Sequence, residues 1–155
     1  MRSFALRWIV AGFASIAMAA ASAHVTIWPR ESRAGAYEKY VLRVPTEGKV
    51  ATTSVELEIP PGATFVAIAA PLGHTYELKK SGERVVGIVW SMQIQPGEFA
   101  EFAFMARNPK DGTQLVWKAI QHFADGTSTP WSGPVGDKHP ASVTTLSAGD
   151  GGHSH

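Results

Sequence analysis

The stretch Thr52-Thr53-Ser54-Val55-Glu56-Leu57-Glu58-Ile59, closed by Pro60-Pro61-Gly62, decides the fold class. Val55, Leu57 and Ile59 alternate with Glu56 and Glu58, so an extended chain here has one apolar and one charged face, the period of a half-buried strand. Threonine and valine suit a pleated surface, and proline cannot donate to a hydrogen-bond ladder, so the strand is predicted to stop at Pro60. The same pattern extends in both directions. Towards the N-terminus, 25–28 stops at Pro29, and 37–44 follows Gly35 and stops at Pro45. Towards the C-terminus come 64–69, 75–78, 85–90, 99–105, 115–123 and 141–146, most of them bounded by Pro, Gly or Asp-Gly. No window sustains a helical period. Regularly spaced, short alternating runs argue an all-β sandwich or barrel.

The start of the chain bears on its compartment. Arg2 and Arg7 precede or open an apolar run, Trp8 to Ala20, which ends in Ala21-Ser22-Ala23. A short positive region, an apolar core too short for a membrane span, and a small-x-small terminus form the secretory signal pattern. Residues 1–23 are read as a cleaved signal peptide, 24–147 as one β-sandwich domain, and 148–155 (Ala-Gly-Asp-Gly-Gly-His-Ser-His) as a disordered, histidine-containing tail. The expected location is the periplasm, with no membrane span in the mature chain.

Charge and composition exclude several classes. The whole chain has 14 Lys plus Arg against 13 Asp plus Glu, and the signal removes two arginines and no acids. The remainder has no basic surplus to attract nucleic acid. There is no cysteine, so thiolate metal sites and thiol nucleophiles are absent, and any metal must be held by nitrogen, oxygen or thioether sulfur. Met92 and Met105 are too few and too scattered for a methionine Cu(I) site. No catalytic triad, phosphate-binding loop, paired catalytic carboxylates or zinc-finger spacing occurs.

His24 carries the strongest chemical signal. Cleavage after Ala23 would give this residue an α-amine beside its imidazole, and the amine with Nδ1 can close a six-membered chelate. An α-amine titrates at about 7.7–8.0 and an imidazole at about 6.5, so a metal displaces their protons readily at neutral pH. Two such nitrogens suit Cu(II), the strongest binder among divalent first-row ions. Gly35 and Ala36 can centre a hairpin, and regular pairing about that turn sets His24 opposite Glu47 and leaves Glu38 beside the turn, a register that a slip of two residues would alter.

The runs His24-Val25-Thr26-Ile27-Trp28-Pro29, Gly35-Ala36-Tyr37-Glu38, Arg43-Val44-Pro45-Thr46-Glu47 and Thr52-Thr53-Ser54-Val55-Glu56 resemble the YcnI-like family, also called DUF1775. So do Pro96-Gly97-Glu98-Phe99-Ala100-Glu101-Phe102, Trp117-Lys118-Ala119-Ile120-Gln121, Asp125-Gly126 and Trp131-Ser132-Gly133-Pro134. The resemblance covers about residues 24–146. It implies an exported immunoglobulin/cupredoxin-like β-sandwich that binds one Cu(II) through a single-histidine brace: the N-terminal His, a nearby carboxylate and a nearby tryptophan. These roles carry onto His24 and Trp131. Glu47 fits the Val-Pro-x-Glu pattern as the carboxylate, with Glu56 as the alternative. Trp131 is read as a loop lid over the metal, and Trp28, Trp90 and Trp117 as core.

The other histidines are weighed separately. His74 stands where the family usually shows a tryptophan and is read as a loop residue. His122 is read as structural or surface, His139 as solvated, and His153 with His155 as a transient metal-capturing tail. The expected function is copper homeostasis or trafficking without catalysis, with copper and other periplasmic or membrane copper-handling proteins as partners. Two other classes stay open. A copper-dependent oxidative enzyme would need His122 or His74 to complete a two-histidine brace, and a metal-free sandwich would bind partners along an edge strand.

Overall fold

The structure is a computed structural model and describes residues 23–149; residues 1–22, where a signal peptide was expected, and the His153/His155 pair lie outside the described residues. Within them the regular elements are strands: β1 Thr26–Trp28, β2 Glu31–Arg33, β3 Tyr37–Pro45, β4 Thr52–Glu58, β5 Thr64–Ile68, β6 Thr75–Ser81, β7 Arg84–Ile94, β8 Phe99–Arg107, β9 Gln114–Trp117, β10 Ala119–Phe123, β11 Ser128–Trp131 and β12 Ser142–Ser147. They form a four-stranded sheet in the order β1-β3-β8-β5, a five-stranded sheet in the order β11-β10-β4-β7-β6, and a three-stranded sheet in the order β2-β12-β9. The small sheet joins β1 through the Ile27 amide, which donates to Ser142 Oγ at 2.8 Å, and the Thr145 amide donates to the carbonyl of Arg30 in the link between β1 and β2 at 2.8 Å. No helix among the described residues is long and apolar enough to cross a membrane.

The alternation that opened the reading of the sequence builds the core. Val55 and Leu57 on β4 are buried, as are Ile88 and Trp90 on β7, and they face Tyr40, Leu42, Val44, Phe102 and Phe104 from the four-stranded sheet. Aromatic rings bridge the layers: Trp90 stacks on Phe102 at 5.3 Å and Tyr40 meets Trp117 at 4.7 Å between ring centroids. Burial raises the Tyr40 hydroxyl to about 12, and that hydroxyl donates to Asn108 Oδ1 at 2.7 Å.

Several expectations are corrected. The chain between β1 and β3 is not a plain hairpin. After Trp28 it crosses to pair β2 in parallel with β12, and only then returns into β3. The β1–β3 register sets Thr26 against Arg43 and Trp28 against Val41, so its continuation brings Pro45, not Glu47, opposite His24. Trp28 is 44% exposed because alternation buries Val25 and Ile27, and the guanidinium of Arg30 lies over its ring at 5.2 Å. The run 115–123 divides at Lys118 into β9 and β10, which belong to different sheets. Trp131 is the last residue of β11, not a loop residue. Pro130 signalled a loop, but β11 is an edge strand, where a missing N–H costs no ladder bond.

Leu57 is fully buried at the centre of the sandwich. Leu57→Ala should lower stability by about 2–5 kcal/mol, through lost transfer energy and an unfilled cavity. Urea unfolding checks this, and a loss under about 1 kcal/mol would mean that the core collapses around the gap.

Candidate metal centre

The site forms at one end of the sandwich, where β3 leaves its sheet and β10 and β11 end another. Glu47 lies just past β3, on a segment anchored by the buried Thr46. The Thr46 amide donates to the Glu98 carbonyl at 2.9 Å, its carbonyl accepts from the Gly97 amide at 2.8 Å, and its hydroxyl meets that of Thr52 at 2.7 Å. The base of the Glu47 segment is therefore fixed while its carboxylate is exposed.

Gln121 joins the two halves of this end. Alternation along β10 turns Ala119 and Gln121 inward and Ile120 outward. The Gln121 amide donates to the Pro45 carbonyl at 2.8 Å and to Thr52 Oγ1 at 2.7 Å, and its oxygen accepts from Trp131 Nε1 at 3.1 Å. Trp131, paired with Ala119, is 7% exposed and held in one pose by that bond.

His24 packs its imidazole against this indole, with ring centroids 5.6 Å apart and planes at 62°. The Ala23 amide nitrogen donates to Glu47 Oε1. The chain entering His24 thus runs beside the Glu47 carboxylate, although ideal strand register would not bring it there: two residues beyond Pro45, the loop supplies the reach. A second imidazole, His139, meets Trp131 edge-on at 5.0 Å and 86°. It was expected to be solvated and is half-buried instead, because the segment after β11 folds back, with Gly133 bridging to Pro140. No local pattern announces this contact; it follows from that return.

The cleft bounded by these residues has a volume of about 300 Å³ and is lined by Glu47, Gln121, Asp125, Trp131, Lys138 and His139, among others. Thr127 donates its hydroxyl and amide to Asp125, holding that carboxyl below the usual range, so it is charged at neutral pH. Lys49 and Lys138 balance the acids on the lining.

The remaining candidates lie elsewhere. Glu56 alternates with the buried Val55 and Leu57, points away from the core, and pairs with Lys79 Nζ. His74 sits in the loop before β6 and packs edge-on against Phe102 at 5.1 Å. His122 alternates away from Gln121, between Ser54 and Ser128 on the neighbouring strands. Neither histidine lines the cleft. Among the described residues no three His, Cys, Asp or Glu side chains converge as a metal-ligand set.

These strands and sheets define an immunoglobulin-like β-sandwich with a histidine-, carboxylate- and tryptophan-lined cleft at one end. Its backbone is similar to the crystal structure of an uncharacterized protein from Nocardia farcinica with an immunoglobulin-like fold, with a TM-score of 0.73 and 25% identity over 81% of this chain and 99% of that one. A cohesin module from a Clostridium perfringens family 33 glycoside hydrolase shares the fold alone, with a TM-score of 0.56 and 15% identity over 81% of this chain and 95% of that one. In sequence, the chain is 34% identical over 133 residues to copper-binding protein CutI of Bacillus subtilis (strain 168). That alignment takes in 84% of this chain and 65% of CutI, so the chain spans less than two thirds of that relative. Residues 24–146 match the family described as a domain of unknown function (DUF1775), and the chain belongs to that family.

Gln121→Leu tests the architecture of the cleft. It leaves the Trp131 indole N–H and the Pro45 carbonyl without their partner, each at a cost of about 1–3 kcal/mol if buried. Urea unfolding should register the loss, and the indole emission should shift as Trp131 reorients. Unchanged stability and emission would show that water replaces the amide.

Proposed function

We propose that this protein is an exported Cu(II)-binding protein of periplasmic copper homeostasis or trafficking, not an enzyme, and that it holds one copper through a single-histidine brace. The observation that carries the reading is the joint position of His24, Glu47 and Trp131. The His24 ring lies on the Trp131 indole, and the nitrogen of the preceding residue is on the Glu47 carboxylate. The name of the relative CutI supports copper as the ion. Without cysteine and without three convergent ligand side chains among the described residues, a tight site in this cleft needs a main-chain donor, and a free His24 amine is the available one.

The donors fit the ion. Amine and Nδ1 supply two nitrogens in one chelate, Glu47 a charge-compensating oxygen, and Trp131 an apolar cover that limits water. Glu56 is engaged with Lys79 on another face, which favours Glu47 as the carboxylate. Neither His74 nor His122, the residues that a two-histidine oxidative brace was expected to use, lines the cleft. Export rests on the Ala21-Ser22-Ala23 pattern, which predicts that mass spectrometry of the periplasmic protein finds His24 as the first residue.

Titration of the chain beginning at His24 with Cu(II), followed by electron paramagnetic resonance, should give one tight equivalent with two nitrogen donors. One additional residue before His24 removes the amine and should weaken binding by more than about tenfold, or 1.4 kcal/mol. Glu47→Gln should weaken binding and change the spectrum, while Glu56→Gln leaves both unaltered. Equal binding by the extended chain would move the site away from His24, and a damaging Glu56→Gln beside a silent Glu47→Gln would reassign the carboxylate.

A further inference from the structure

We propose that His139 is the exchange ligand of the cleft, an imidazole that holds Cu(II) transiently as it enters and leaves the His24 site. The inference rests on the copper site proposed above and assigns a role to a residue which that site does not use. Two imidazoles, His24 and His139, lie against the same indole, at 5.6 Å and 5.0 Å between ring centroids. His139 and Glu47 both line the cleft, as does Ala23, the residue before His24, so an ion taken up through this opening shares the space with a second imidazole beside the chelate.

The position of His139 is built. Its amide donates to Asp137 Oδ1 at 2.9 Å and its carbonyl accepts from the Gly133 amide at 2.9 Å. The Gly133 carbonyl accepts from the Ala141 amide at 2.8 Å, and the Asp137 amide donates to the Pro134 carbonyl at 3.1 Å. Gly133 permits the close return: a Cβ there would stand 2.7 Å from the Asp137 carboxyl carbon. The main chain of His139 is thus fixed against Trp131 while the residue stays half-exposed. The Asp137 carboxylate accepts from the His139 amide and lies behind this wall, while Lys138 lines the cleft itself.

The arrangement separates exchange from storage. Among the described residues His139 does not converge with two other ligating side chains, so it adds no third donor to a tight set. A lone neutral imidazole binds Cu(II) weakly, and a weak donor next to a strong chelate lets the ion exchange its ligands stepwise. A group that only stages the ion must speed entry and release by the same factor, because it leaves the end states unchanged.

The test uses the chain beginning at His24, with Trp131 emission as the probe of Cu(II) binding and a competing chelator to drive release. His139→Phe keeps an aromatic ring against the indole and removes both nitrogens. The association and dissociation rates should each fall by about tenfold, with Kd unchanged within about twofold. Unchanged rates overturn the proposal. A weakened Kd also overturns it, since His139 would then belong to the tight site. Slow exchange in His139→Ala with normal exchange in His139→Phe overturns it too, because packing alone would then be at work. If the unaltered chain shows no tight equivalent at all, the His24 site itself fails, which is a separate outcome read before any His139 variant is made.

Discussion

A buried amide holds the cleft together. Gln121 belongs to one sheet of the sandwich, and its donor hydrogens reach Pro45 at the end of a strand in the other sheet, as well as Thr52 on its own. Its oxygen takes the indole N–H of Trp131. A carboxamide has two donors and one acceptor group, and each has found a partner, so the desolvation cost of burying it is offset and its orientation is specified. An apolar side chain here would pack but would not tell Trp131 which way to turn. The end of a sandwich is where two sheets diverge and hydrophobic contact weakens. A directional tie at that point fixes the spacing between the Glu47 segment and the Trp131 wall.

Local signals disclose some parts of the molecule, and pairing between distant segments conceals others. Strands such as β4, β7 and β8 were legible because alternation and turn residues are local signals, and Val55, Leu57, Phe102 and Phe104 point inward as their parity demands. Trp131 was misread as a loop residue because Pro130 normally ends a strand, and only the sheet order reveals that β11 is an edge where proline is tolerated. Parity also buries Ile27 and exposes Trp28, against the expectation that a tryptophan near a strand end belongs to the core. β2 escaped because three residues of mixed polarity carry no period.

Which residues gather at this end of the fold was legible only in part, and their geometry less so. His24 and Glu47 were paired from a regular hairpin, and the register is in fact offset by the excursion through β2. The two residues come to the same end of the fold because the loop past Pro45 spans the offset and places the carboxylate on the nitrogen of Ala23. Their proximity was therefore anticipated through a pairing that the fold does not use. His139 illustrates the opposite case. Nothing in Asp137-Lys138-His139-Pro140 signals a contact with a tryptophan several residues away, because the contact depends on a return closed by long-range bonds to Gly133, where only glycine leaves room.

The same geometry bears on when the proposed site becomes competent. In the unprocessed chain the nitrogen of His24 belongs to a peptide, its lone pair delocalised, and the Glu47 carboxylate is already satisfied by the Ala23 N–H. Removal of residues through Ala23 would change both conditions in one step. It would convert the peptide nitrogen into an amine that can donate to a metal at neutral pH, and it would free the carboxylate of its hydrogen-bond donor. The fold around them would need no rearrangement, since Trp131, Gln121 and Thr46 are held by bonds that do not involve the chain before His24. On the proposed reading, the sandwich is a preformed cradle, and the covalent event that completes the ligand set is the one that releases the protein into the compartment where the ion is met.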